Sequence, residues 1–141
     1  MTNLIASAEV DVAASADKVW HALTDPDSVE KYFFGARVDT DWRPGSSIVW
    51  RGEFQGKPFE DKGEIVEVDE NRLLRMKHFS PLSGLEDVPQ NYHALTFTLA
   101  ERGTGTHVEL SQDNNGSRDE ADQSAANWAA VLQGLKRVVE G

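Results

Sequence analysis

A long amphipathic segment closes the chain and limits what everything before it can be. From Ala121 the apolar positions run Ala121, Ala125, Trp128, Leu132, Leu135 and Val139, in alternating steps of four and three. Such spacing holds one stripe on one side of a helix. Ser117 and Glu120 have the Ser-x-x-Glu spacing of a capping box, and Gly141 follows the last helical position. The pattern predicts a helix over Arg118–Glu140, roughly 35 Å long. No other segment reads as a helix of that length, so its stripe must lie along the strands that precede it. One sheet gripping one helix can leave a cavity between them. Gly134 and Ala125 are small enough to let the helix sit close or to leave that space open.

The preceding segments alternate as half-buried strands do. Over Leu4–Val12, Leu4, Ala6, Ala8, Val10 and Val12 share one face, and Ser7, Glu9 and Asp11 the other. Ser15 caps a short helix carrying Val19, Trp20 and Leu23, which Asp25-Pro26 stops. A second helical turn over 27–32 runs into Phe33-Phe34-Gly35. Further strands are predicted over 36–42, 46–54, 57–68, 72–79, 91–100 and 106–113. Pro44-Gly45, Gln55-Gly56, Asp69-Glu70-Asn71 and Gly103-Thr104-Gly105 mark their turns. Such short turns imply an antiparallel meander. In the strand over 57–68, Phe59 shares parity with Ile65 while Val66 and Val68 fall on the opposite side. A bulge near Gly63 would reconcile the two faces and curl the sheet. The long loop over 80–90 can act as a flap.

The chain has 141 residues, enough for one domain over 1–141 that buries about 68% of its unfolded surface. Met1-Thr2-Asn3-Leu4-Ile5 lacks the regions of a signal peptide, and no apolar run spans a bilayer. With no Cys there is no disulfide, thiol chemistry or cysteine metal site. These features give a cytoplasmic expectation. A net charge of -10 repels phosphate backbones and anionic lipid surfaces, so neither nucleic acid nor a membrane is an expected partner.

Strand, helix pair, curved antiparallel sheet and long closing helix is the order of the helix-grip fold, an α+β architecture of about six or seven strands. The stretch from Val10-Asp11-Val12 through Val19-Trp20 to Thr24-Asp25-Pro26 resembles the opening of the START-like SRPBCC superfamily. It is similar in particular to the branch named for the activator of heat-shock-protein-90 ATPase, C-terminal domain. Arg43-Pro44-Gly45, Gly63-Glu64-Ile65-Val66-Glu67-Val68 and Leu95-Thr96-Phe97-Thr98-Leu99 continue the resemblance. So do Gly105-Thr106-His107-Val108-Glu109-Leu110 and Asn127-Trp128 with Leu132 and Leu135. The family often has a second Gly after the position of Gly45 and a His near the end of the penultimate element. Here Ser46 and Gln112 stand at those places, and Gln112 removes a titratable group. The resemblance implies a small apolar, lipid-like or amphipathic ligand held between sheet and helix, with no cofactor and no metal.

Strand parity supplies the expected lining. His93 shares a face with Leu95, Phe97 and Leu99, and His78 shares one with Leu74 and Met76. A hairpin symmetric about Leu85-Glu86 puts His78 opposite His93. That pair reads as a proton-transfer couple, as two-thirds of a metal site, or as imidazoles bonded to backbone, water or each other. Trp50 shares a face with Ile48 and Trp42 with Val38, while Trp128, Leu132 and Leu135 project from the helix stripe. Met76, Phe97 and Gln112 complete the expected lining. Tyr32, Phe33 and Phe34 are expected at the mouth, as a gate or a plug. Asp61, Glu64 and Glu60 lie where parity is ambiguous. They read as a solvent face, and an inward carboxylate among them would be an acid–base candidate.

Three functions fit. The leading one is a ligand-binding domain. A cyclase- or aromatase-type enzyme would need His78, His93 or an inward carboxylate as its acid or base. A chaperone-associated interaction module would use the acidic surface on a basic partner. No phosphate loop, nucleophile elbow or His-Glu-x-x-His motif points elsewhere.

Overall fold

The structure is a computed structural model that describes residues 4–54, 56–81 and 84–141. Strand β1 (Leu4–Val12) is followed by helices α1 (Ala16–Thr24) and α2 (Pro26–Tyr32). Strands β2 (Arg37–Asp39), β3 (Ser47–Phe54), β4 (Lys57–Asp69), β5 (Leu73–Phe79), β6 (His93–Arg102) and β7 (Gly105–Asn115) come next, and α3 (Arg118–Glu140) closes the chain. All seven strands join one antiparallel sheet in the order β1-β7-β6-β5-β4-β3-β2. This is the helix-grip fold.

Local chemistry accounts for the helix ends. The Ser15 hydroxyl accepts the Lys18 N–H, and an Asp25 carboxylate oxygen accepts the Ser28 N–H with Pro26 at the first helical position. At α3 the expected box forms with its return bond one residue before the cap. Ser117 Oγ accepts the Glu120 N–H, and Glu120 Oε2 reaches back to the Gly116 N–H. Gly134 faces Tyr32, and a Cβ placed there would lie 3.2 Å from the Tyr32 Cα, so its missing side chain sets how closely α2 and α3 approach.

Two sequence expectations need correction. The strand over 36–42 shrinks to Arg37–Asp39, because Trp42 takes a left-handed backbone (φ 61°). Thr40 and Asp41 side chains accept the N–H groups of Trp42 and Arg43, turning the chain out of the sheet. Trp42 is half-buried and does not continue the Val38 face. The bulge in β4 sits at Val66, not Gly63: Ile65 pairs with Met76 and Glu67 with Arg75, leaving Val66 as the extra, exposed residue. Gly63 serves a different need. A Cβ on it would collide with the Lys77 carbonyl of β5, so only glycine permits this strand approach.

The core lies between the sheet and α3. Ile48, Ile65, Leu74, Leu95, Phe97 and Leu110 meet Leu132 and Leu135 there, all essentially without exposure. Helix α3 packs chiefly against β1, then α2, β7 and α1. The β3–β5 side of the sheet therefore receives little helix backbone, and aromatic side chains bridge the gap. Among the described residues no helix is long and apolar enough to cross a membrane.

Candidate functional site

Under that bridge lies a cavity of about 250 Å³. Phe33, Phe34, Phe59 and Trp128 supply its apolar walls, and Asp61, His78, Ser80 and Asn127 its polar groups. Phe33 is the hub of the aromatic cluster. Its ring stacks on Trp50 at 6.0 Å and lies 5.8 Å from Trp128 and 5.5 Å from Phe34. Phe34 is 40% exposed and takes a left-handed backbone (φ 52°). That conformation is costly for a bulky side chain, and it holds the ring over the cavity at the end of α2.

Two charged-type side chains meet at the floor. Gly63 pairs with His78 in the β4–β5 register, and Asp61 lies two residues along β4 on the same face. His78 stands beside a glycine, so its ring has room to lean toward Asp61. Nε2 of His78 lies 2.9 Å from Asp61 Oδ2. Each residue is only 8% exposed. A carboxylate can only accept, so Nε2 carries a proton, and in the neutral form of the ring Nδ1 is then an acceptor. Both His78 Nδ1 and Asp61 Oδ1 are buried without a hydrogen-bond partner. Unpaired acceptors in such surroundings are unfavourable, and native proteins hold few of them. Trp50 packs its ring edge-on to the imidazole at 5.0 Å and also pairs with Asp61 across β3–β4.

Residues 13–140 match the model of the Activator of Hsp90 ATPase homolog 1-like protein family. The chain belongs to this family. Its fold is shared with the solution structure of a Cytophaga hutchinsonii protein, 46% identical over 97% of this chain and 94% of that one, with a TM-score of 0.83. The solution structure of the Aha1 dimer from Colwellia psychrerythraea is 21% identical, covers 99% and 97% of the two chains and gives a TM-score of 0.75. The crystal structure of CalU16 from Micromonospora echinospora is 20% identical over 98% and 85%, with a TM-score of 0.73. No curated protein matches.

Within this family member the expected lining residues divide into three groups. Phe33, Phe34, His78 and Trp128 border the cavity, with Trp50 directly behind Phe33 and His78. Met76, Phe97, Leu132 and Leu135 are packed into the core. Tyr32 is in the core rather than at the mouth. Its hydroxyl donates to the Leu23 carbonyl, and burial pushes its phenol pKa up. Gln112 is buried and accepts the Trp128 indole N–H at 2.6 Å, which fixes the wall instead of facing the cavity.

His78 also has a different side-chain partner from the one expected. The β5–β6 register does pair it with His93. Yet His93 Nδ1 donates to the Asp113 carbonyl at 2.8 Å, and His93 does not border the cavity. Asp61 takes the place beside His78, turned inward where a solvent face was expected, while Glu60 and Glu64 do point outward. The missed signal was available: Asp61 shares parity with Phe59 and Ile65 once the bulge is placed after Ile65. Among the described residues no three His, Asp or Glu side chains cluster to hold a metal ion.

Proposed function

We propose that this protein binds a small amphipathic molecule in the cavity between sheet and C-terminal helix, as a cytoplasmic ligand-binding domain. The observation that carries this reading is the aromatic-walled cavity whose buried polar floor, Asp61 and His78, has two acceptors without partners. A cavity of about 150 Å³ lined by Leu, Ile and Phe side chains holds benzene. About 250 Å³ suits one or two rings and falls short of the volume usual for larger ligands.

Fluorine-labelled tryptophan tests the reading with an internal control. The chain has four Trp. Titration with indole is expected to shift the Trp50 and Trp128 resonances and leave those of Trp20 and Trp42 in place. If all four stay fixed at saturating indole, this reading is lost.

The imidazole oriented by a carboxylate favours a second reading, general-base catalysis. His78 Nδ1 would take an α-proton from an enolisable ketone and leave an enolate beside the imidazolium. Deuterium exchange into acetophenone, followed by NMR, should then run faster with the wild type than with His78→Gln. Equal rates would exclude the assignment.

A further inference from the structure

The charge of the cavity floor sharpens the ligand class, and the argument rests on the cavity reading above. With a neutral imidazole donating Nε2–H to Asp61, the pair carries one net negative charge on two residues that are each 8% exposed. Among the described lining residues there is no Lys or Arg to offset it. Nearby Lys62 is engaged elsewhere, on Asp87, and Arg51 is paired with Glu60 on the other face of the sheet. A buried carboxylate without a full complement of donors is unfavourable until something supplies positive charge or N–H groups.

What remains unmatched has a consistent polarity. Asp61 Oδ1 and His78 Nδ1 are both without a partner, and with the imidazole neutral both accept. The carboxylate's terminal torsion is soft and two-fold, so either oxygen can turn to a ligand while the other holds His78. The same cavity is lined by Phe33, Phe34, Phe59 and Trp128, and π-faces attract cations in desolvated surroundings. Two acceptors, one uncompensated charge and an aromatic surround together match a protonated amine on a small apolar body. An anionic ligand would meet the opposite field, and a neutral alcohol would satisfy one acceptor and leave the charge.

We propose that the cavity is an amine site: Asp61 and His78 receive the N–H groups of a primary arylalkyl ammonium ion whose ring lies among Phe33, Phe59 and Trp128.

Three probes of one shape test this on the full chain by calorimetric titration: 2-phenylethylamine, 2-phenylethanol and 3-phenylpropionate. The amine should bind about ten-fold or more tighter than the alcohol, as hydrogen bonds to charged groups allow, with the carboxylate weakest. Asp61→Asn keeps the shape, and the difference between amine and alcohol should shrink to about two-fold or less while the alcohol still binds. Equal or tighter binding of the alcohol or the carboxylate by the wild type overturns the amine assignment and leaves the cavity reading standing. An amine preference that survives Asp61→Asn overturns it as well. Failure of all three probes to bind removes the cavity reading and this inference together.

Discussion

The indole N–H of Trp128 on α3 donates to Gln112 Oε1 on β7 at 2.6 Å, with both residues buried. This bond fixes the one aromatic wall that the closing helix contributes to the cavity. It also explains how Gln112 serves here: the position needs an acceptor for the indole, and a titratable group is not required. The same wall is braced at its start. Asn115 donates to the Leu4 and Gln112 carbonyls, and Ser124 of α3 donates to Asn115 Oδ1. Sheet and helix are thus joined by polar contacts on one side of the cavity and by aromatic contacts on the other.

Replacing Gln112 by Leu should strand the buried indole N–H, at about 1–3 kcal/mol of stability. Gln112→His restores an acceptor and should recover most of that loss. Urea denaturation of the two variants and the wild type measures the difference. Equal stability of the Leu and His variants would show that the bond contributes nothing.

Gly63→Ala forces a Cβ into the Lys77 carbonyl next to His78. The strands must part, so a loss of about 1–3 kcal/mol is expected. The displacement falls on the Gly63–His78 register, so the His78 imidazole resonances should move more than those of His107, which pairs with Asp11 between β7 and β1. Unchanged stability and unchanged His78 signals would contradict the close approach.

Glu140 supplies a pH prediction. Its Oε2 accepts the Ala13 N–H and the Lys136 ammonium, both at 2.7 Å, and these donors hold its pKa below the ordinary 4.5. A carboxyl lowered in the folded state adds stability above its unfolded pKa and loses it as pH falls through the folded value. Wild type should therefore exceed Glu140→Gln in stability at pH 7, and the gap should close as the pH is taken below about 4. Denaturation midpoints of both proteins across that range provide the check, and a gap that widens in acid reverses the sign.

Much of the fold was legible because it rests on local chemistry. The α3 stripe, its Ser117–Glu120 box and the turn glycines each act over a few residues, and the structure reproduces them. The cross-strand pairing of His78 with His93 followed from hairpin symmetry alone. What failed depended on backbone choices that leave little trace in hydrophobic pattern. Trp42 looked like a strand residue, yet Thr40 and Asp41 cap its turn. Placing the bulge at Gly63 instead of Val66 left the parity of Asp61 ambiguous and hid the carboxylate that faces His78. Which inward residues border space and which fill the core depends on where α3 stops covering the sheet. Met76 and Phe97 share faces with cavity residues but are packed into the core.

The Asp61–His78 pair should show the mark of a site kept for function rather than stability. Each partner is buried, and each has a polar atom unpaired, so the pair stabilises the fold less than an apolar filling would. Removing His78 alone, as His78→Leu, leaves the Asp61 carboxylate without its donor and should lower stability by about 1–3 kcal/mol. The double variant Asp61→Leu/His78→Leu removes the stranded charge with its partner. It should return to within about 1 kcal/mol of the wild type, or exceed it, while losing ligand binding. A thermodynamic cycle of wild type, both single variants and the double variant separates these terms. If the double variant loses as much as the two single variants combined, the pair is a structural brace, and the polar floor of the cavity is there for the fold.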